Sequence, residues 1–285
     1  MVYMKGLIFD VEEFSLFDGP GIRICIFFKG CPLKCNWCHN PEGISFKPQI
    51  IKNPNGCKHC DNCAELFSNP DDSIVSGSWV TACPKELIRI SGDWVEAHEL
   101  SEQIRSNSDV LKYSNGGVTL TGGEVLAQPE FAIEILKELH GIHRAIETSG
   151  YAEQVVFSKV ISYCELVIMD IKIIDKDLHK LHTGVNNKKI LNNYRILRSM
   201  DIPHIIRIPL IPTVNDTKKN IRSLCALLEN DENLVALELL PYNKMAHAKY
   251  PMVGLEFKPK FNPTAKPIIH EEIIKSFHIP YRILY

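Results

Sequence analysis

The sequence predicts an α/β chain: a partial (β/α)6 TIM-like barrel that carries a small insert. Three observations predict it. Six short apolar runs recur along the 285 residues, helix-like stripes separate most of them, and one cysteine-rich stretch breaks the alternation. Repeated strand–helix units imply parallel strands, because a parallel pair needs a long crossover rather than a tight hairpin. Six such units suit an open or partial barrel better than the closed eight-fold one. Parallel barrels carry their chemistry on the loops that follow the strands, so the unusual residues should follow strands.

Taken in order, the first run is Ile22–Phe28, partly β-branched and free of internal Gly or Pro. Gly117–Thr121, Ala145–Thr148, Leu166–Lys172, His204–Leu210 and Leu234–Leu240 have the same character. Between them, Ala132, Ile135, Leu136 and Leu139 fall at i, i+3, i+4 and i+7, with Pro129 near the helix start. Ile221, Leu224, Cys225 and Leu228 repeat that spacing, and Ile190, Tyr194 and Leu197 form a third stripe. Such stripes bury one helix face against a sheet. Residues 45–94 break the rhythm. They carry Cys57, Cys60, Cys63 and Cys83, are rich in Asn, Pro, Asp and Ser, and show little helical period. This stretch reads as an inserted domain held by metal rather than by a core, since so small a module usually needs a staple. Residues 1–44 and 95–285 would then form the barrel.

Net charge is −2 and no basic stripe occurs, so no nucleic-acid partner is expected. No run of 18 apolar residues suggests a membrane span. The opening segment, Met1 to Phe14, lacks a basic stretch followed by an apolar core, so a cytoplasmic location is expected, with the chain as a monomer. Seven of the ten cysteines lie between Cys31 and Cys83. In a reducing compartment such clustering reads as metal ligation; a secreted disulfide protein is the alternative, and the apolar content weighs against it.

The strongest signal is Cys31, Cys35 and Cys38, spaced C-x3-C-x2-C directly after the first strand. Three thiolates can hold three irons of a cubane and leave the fourth open for chemistry. A zinc site with His39 as fourth ligand is the alternative. Gly122–Gly123–Glu124 follows the second strand, where two glycines allow close backbone approach to a ligand and a carboxylate follows; a plain turn is the competing reading. Asp170 and Lys172 end the fourth strand and share a face by alternation, and charges there are costly unless paired or used. Glu147 and Thr148 end the third strand and should join them. Arg207 lies between Ile206 and Ile208, where a guanidinium suits a carboxylate or a ribose, or forms a structural ion pair with Asp170. In the insert, Cys57, Cys60 and Cys63 read C-x2-C-x2-C, and Cys83–Pro84 follows at a distance. That supplies ligands for one cubane, or for a four-cysteine zinc. Cys25, Cys164 and Cys225 fall in strand or helix stripes and read as core residues.

Together and in order, these motifs resemble the radical S-adenosylmethionine superfamily, and more narrowly the glycyl-radical-enzyme activating enzymes. The resemblance covers the chain outside the insert. It rests on Asp18–Gly19–Pro20–Gly21–Ile22–Arg23, the Cys31–Cys38 loop with His39–Asn40–Pro41–Glu42, Thr121–Gly122–Gly123–Glu124, Glu147–Thr148, Asp170–Ile171–Lys172, Arg207 and Leu239–Leu240–Pro241–Tyr242. It implies a [4Fe–4S] cluster on Cys31, Cys35 and Cys38 that binds S-adenosylmethionine, with Trp37, His39 and Asn40 beside it. Gly122, Gly123 and Glu124 would hold the cofactor's amino group. Asp170, Lys172 and Glu147 would lie near its carboxylate, sometimes with a monovalent cation, and Arg207 would contact it. Glu147 stands where close relatives often carry Asp, and Asn243, toward the adenosine end, stands where many carry His. Read from the residues, Asp18 to Arg23 is a Pro-Gly turn feeding the first strand; by the resemblance, Asp18, Gly19, Gly21 and Arg23 would lie where the partner's glycine loop enters. A second [4Fe–4S] cluster in the ferredoxin-like insert is implied, half of the two-cluster complement of several relatives. The partners would be a glycyl-radical enzyme and, as reductant, flavodoxin or ferredoxin. A radical enzyme acting on a small molecule or peptide, and a non-catalytic electron-transfer or zinc protein, are the other classes.

Overall fold

A computed structural model describes residues 4–284; residues 1–3, with which the opening segment read above begins, and residue 285 lie outside the described residues. The strands are β1 (Lys5–Ser15), β2 (Arg23–Phe28), β3 (Gln49–Lys52), β4 (Ile88–Ser91), β5 (Asp93–Glu96), β6 (Gly117–Gly122), β7 (His143–Thr148), β8 (Leu166–Asp170), β9 (His204–Leu210), β10 (Leu234–Pro241) and β11 (Tyr281–Ile283). Nine of them form one sheet in the order β11-β10-β9-β8-β7-β6-β2-β1-β5. From β2 to β11 every pairing is parallel. The six predicted strands are β2 and β6 to β10. β1 and β5 add an antiparallel edge, and β11 adds a seventh parallel strand. β11 has three residues, too few for a period to show.

Helices α1 (Ala64–Ser68), α2 (Pro70–Ser76) and α3 (Trp79–Ala82) lie in the cysteine-rich stretch. α4 (Ala97–Arg105), α5 (Ser108–Tyr113), α6 (Pro129–Glu138), α7 (Gln154–Ile161), α8 (Lys176–Thr183), α9 (Lys188–Ser199), α10 (Lys218–Leu228) and α11 (Glu271–Ser276) accompany the sheet. Pro129 opens α6, where its missing N–H costs no helix hydrogen bond. The predicted stripes are the buried faces: Ala132, Ile135 and Leu136 of α6, Ile190, Tyr194 and Leu197 of α9, and Ile221, Leu224, Cys225 and Leu228 of α10. Each large apolar side chain so buried contributes about 1.5–3 kcal/mol. Together they pack one continuous core with β2 and β6 to β10.

The insert pairs β3 with β4 antiparallel and folds α1 to α3 between them. It has a small apolar cluster of its own, Ile50, Cys63, Leu66 and Ile88. Its helices span five, seven and four residues, too short to display a 3.6-residue period. Asp93 and Trp94, assigned above to the insert, belong to β5 and pair with β1 in the main sheet. Lys29 ties the insert to the barrel. It follows β2, is 1% exposed, and its Nζ donates to the Glu42 carbonyl and, at 3.0 Å, to Gln49 Oε1 of β3. Burial lowers its pKa to about 8.

Candidate active site

The C-x3-C-x2-C loop leaves the C-terminal end of β2, as the barrel logic requires. Its backbone is tied down on two sides. Gly30 and Cys31 N–H donate to the Gly43 and Ile44 carbonyls at 2.8 and 3.1 Å, and Lys34 and Asn36 N–H donate to the Thr183 and His182 carbonyls at the end of α8 at 2.8 and 3.1 Å. Close approach to β6 needs glycine. Gly122 sits at φ +110°, and a Cβ on Gly123 would lie 2.4 Å from the Gly43 carbonyl oxygen and 2.6 Å from that of Gly30.

Loop and strand ends enclose a cavity of about 340 Å³. Cys31, Cys35, Cys38, Trp37, His39, Asn40, Gly122, Gly123, Glu147, Asp170, Lys172, Arg207 and Asp18, all predicted site residues, line it. Burial pushes the three thiols up, Cys35 to about 12, so they are protonated until a metal takes the proton's place. Trp37 is 4% exposed and packs on His182. His39 meets the Tyr242 ring at 6.3 Å, and burial lowers its pKa. Among the described residues no three His, Cys, Asp or Glu side chains converge on a single-ion site.

Charged groups converge on the same cavity. Arg207 Nε donates to Glu238 Oε2 at 2.5 Å, and Nη1 donates to Glu147 Oε1 at 2.7 Å and lies 3.5 Å from Asp18 Oδ1. Nη2 donates to the Phe17 carbonyl. Burial opposes the Arg207 charge, and Glu147 and Glu238 more than offset it. Burial likewise opposes the Glu147 carboxylate, yet Arg207 holds it below the usual glutamate range. Lys172 pairs with Asp170. Burial works against its ammonium, and Asp170 holds it above the ordinary lysine value. Arg207 therefore does not pair with Asp170, the structural alternative considered from sequence, although the two are register partners on β8 and β9. Its partner Glu238 was not anticipated. Glu238 is the one charge in the run Leu234–Pro241, sits opposite Arg207 in register, and also accepts from Arg282 at 2.7 Å. A lone acid inside an apolar strand was the available signal.

Several predicted residues lie elsewhere. Glu124 is 2% exposed and does not line the cavity. It accepts from Leu126 N–H at 3.1 Å, Ser149 N–H at 3.0 Å, and the Thr148 and Ser149 hydroxyls at 2.5 Å each. Burial pushes its carboxyl up while these donors pull it down. Asn243 is exposed and caps a 3-10 turn, its Oδ1 accepting from Met245 N–H at 2.9 Å; Tyr242 takes its place at the cavity. Arg23 is fully buried and cannot reach a partner. It donates to Thr119 Oγ1 and the Val118 carbonyl, both at 2.5 Å. Gly19 and Gly21 do not line the cavity either. They sit at φ +129° and +67°, and a Cβ would strike the Arg23 side chain at 2.8 Å and the Gly116 N–H at 2.5 Å, so they serve the turn. Of that motif only Asp18 faces the cavity.

A second recess, of about 110 Å³, lies in the insert. Cys57, Cys60, Cys63 and Cys83 line it with Lys52 and Pro84. Cys60 is exposed and Cys63 buried. Backbone N–H groups of Leu87 and Lys85 lower the Cys83 pKa.

The sequence over residues 25–225 matches the model of the Radical SAM superfamily. The chain belongs to that family. As a radical SAM protein it is 35% identical to the choline trimethylamine-lyase activating enzyme of Oleidesulfovibrio alaskensis, over 100% of this chain and 99% of that one. It is 35% identical to the 4-hydroxyphenylacetate decarboxylase activating enzyme of Clostridium scatologenes, over 89% and 88%. The QueE crystal structure from Escherichia coli shares the fold, with a TM-score of 0.51 at 17% identity over 99% of this chain and 95% of that one. Membership in the radical SAM family implies a [4Fe–4S] cluster and S-adenosylmethionine. The donor set fits. Three soft ligands line one cavity, and among the described residues no fourth cysteine does. No helix among the described residues is long and apolar enough to cross a membrane.

Proposed function

We propose that this chain activates a glycyl-radical enzyme, and that Cys31, Cys35 and Cys38 hold the cluster that cleaves S-adenosylmethionine. The observation that carries the reading is that the three thiols share one cavity with the strand-end charges Glu147, Asp170, Lys172 and Arg207, in a chain whose full-length relatives are activating enzymes. When bound, the reduced cluster supplies one electron that splits S-adenosylmethionine into methionine and a 5′-deoxyadenosyl radical, which takes a hydrogen atom from a backbone glycine of the partner.

This chain's residues bind, orient and exclude water. Gly122 and Gly123 let ligand and backbone approach closely. The Lys172 ammonium, held charged by Asp170, would meet the carboxylate of S-adenosylmethionine. Arg207, locked by Glu147 and Glu238, is a fixed donor array rather than a mobile one. Glu124 acts through Thr148 and Ser149, setting the β7 loop that borders the cavity. Trp37 and Tyr242 cover the cavity wall with aromatic surface. Hydrogen abstraction needs no acid–base pair, and none is assigned.

The insert recess is proposed to hold a second [4Fe–4S] cluster on Cys57, Cys60, Cys63 and Cys83. Support comes from four thiols around one recess and the Cys83–Pro84 step. Flavodoxin or ferredoxin is proposed as the reductant, with the protein acting as a cytoplasmic monomer. The test is anaerobic reconstitution, reduction and addition of S-adenosylmethionine. Release of 5′-deoxyadenosine, and a stable radical on a co-incubated glycyl-radical enzyme, is the expected result. Reduced, iron-loaded protein that yields no 5′-deoxyadenosine overturns the reading.

A further inference from the structure

The loop that leaves β8 carries Lys172, and side-chain amides hold its backbone. The β8–β9 ladder ends at the pair Asp170 and Arg207. Pro209 follows on β9, and a proline has no N–H to carry a ladder onward. Asn215 takes over there. Its Nδ2 donates to the Lys172 carbonyl at 2.7 Å and to the Pro209 carbonyl at 2.6 Å, and its Oδ1 accepts from the Ile211 N–H at 2.7 Å. Lys172, Pro209 and Ile211 all line the cavity. Two more asparagines grip the residues that follow Lys172. Asn187, at the start of α9, donates from Nδ2 to the Ile173 and Ile174 carbonyls at 3.0 and 2.7 Å. Asn220, on α10, accepts from the Ile174 N–H at 2.9 Å and donates to the Asn215 carbonyl at 3.0 Å. All three asparagines are buried, Asn215 completely. Their partners fix which way each amide faces, because a carbonyl only accepts and an N–H only donates. A buried polar network with its donors and acceptors matched in this way is a rigid brace.

We infer that Asn215 is a positioning residue for S-adenosylmethionine: by holding the Lys172 carbonyl, it fixes where the Lys172 ammonium stands at the cavity. The inference rests on the role given to Lys172 under the proposed function. A lysine ammonium sits on a flexible four-carbon stem, so its place is set only when both ends of the stem are held. Asp170 holds the tip. Asn215 holds the root and ties it to Pro209 and Ile211 at the β9 end of the same cavity. Asn187 and Asn220 keep the next two residues from shifting. A ligand carboxylate then meets a charge already in place, and binding does not have to order it.

The test is a double-mutant cycle. S-adenosylmethionine affinity is measured by calorimetry on the anaerobically reconstituted full chain, for wild type, Asn215→Ala, Lys172→Met and the two combined. Asn215→Ala is expected to keep wild-type iron and sulfide and to weaken binding about tenfold, as loss of a supporting contact behind a ligand-binding group does. Because Asn215 acts through Lys172, the same substitution should add less than about twofold once Lys172→Met is present. A tenfold loss in both backgrounds marks a merely structural residue and overturns the inference. So does unchanged affinity in Asn215→Ala. Loss of iron overturns it too, since the three thiols lie outside the proposed action. Lys172→Met that binds as tightly as wild type also overturns it and leaves the activation reading standing. Where Asn215→Ala does not fold, Asn187→Ala decides in the same cycle, because its amide holds the next two carbonyls. A loss that disappears with Lys172→Met supports the inference, and an unchanged or additive one overturns it. Reconstituted wild-type protein that binds no S-adenosylmethionine overturns the cluster assignment instead.

Discussion

Two recesses in this protein are lined by cysteines, and they are built differently. The barrel recess encloses about 340 Å³ and sets its thiols in one cavity with a partly buried array of charges from β7, β8 and β9 that is backed by Glu238 of β10. The insert recess encloses about 110 Å³, has an exposed Cys60, and rests on a cluster of four buried side chains. The first has room for an organic cofactor beside a metal cluster and has fixed charges to orient it. The second has ligands and little else. Similar cysteine spacing therefore means chemistry in one place and, under the proposed function, electron relay or docking in the other. The surroundings make the difference, not the thiols.

The comparison breaks most visibly at Cys35. Cys35→Ala is expected to abolish S-adenosylmethionine cleavage while the iron of the insert is retained, as read by 5′-deoxyadenosine release and iron analysis. Cleavage at the wild-type rate would reverse the roles given to the two recesses. Arg207→Met comes next. It leaves the buried Glu238 with Arg282 as its one remaining cation among the described residues and the half-buried Glu147 with the Thr121 hydroxyl, and breaking such a network costs up to about 3–5 kcal/mol, measurable as a lower denaturant midpoint. A loss below about 1 kcal/mol would show that the charges are solvated rather than locked.

Cys60→Ala should leave the fold intact, because that side chain is exposed, while iron and sulfide fall to about half. Loss of soluble protein would mean that the barrel depends on the insert. The joint between the regions has its own pH signature. Lys29 titrates near 8 when folded and near 10.5 when unfolded. Between those values the unfolded chain binds more protons, so stability rises with pH across that window, and below it the cost of burying the charge is fully present. Lys29→Met should flatten that rise in urea melts taken from about pH 8 to 10.5. The smallest effect is expected at Asn243→Ala. It removes a cap worth about 1 kcal/mol and leaves the affinity for S-adenosylmethionine unchanged, as read by calorimetry.

Much of the barrel was legible because its signals are local. β2 and β6 to β10 are continuous apolar runs, and α6, α9 and α10 carry repeating stripes. β1 and β5 were missed because an antiparallel edge has weak alternation, and β11 because three residues carry no period. At the site, the residues that end or follow strands, Cys31 to Asn40, Gly122, Gly123, Glu147, Asp170 and Lys172, could be placed from chain order alone.

By itself, then, the sequence determined which strands would be parallel, where loops would gather thiols and charges, and which family the motifs resemble. Only the tertiary structure decided the pairings. Arg207 chose Glu238 and Glu147 over its register neighbour Asp170, Glu124 turned to Thr148 and Ser149, Arg23 went inward, and Asn243 became a cap. The physical reason is that strand position sets which face a side chain shares. Its partner depends on distances between residues as far apart in the chain as Phe17 and Arg207, which no local pattern encodes.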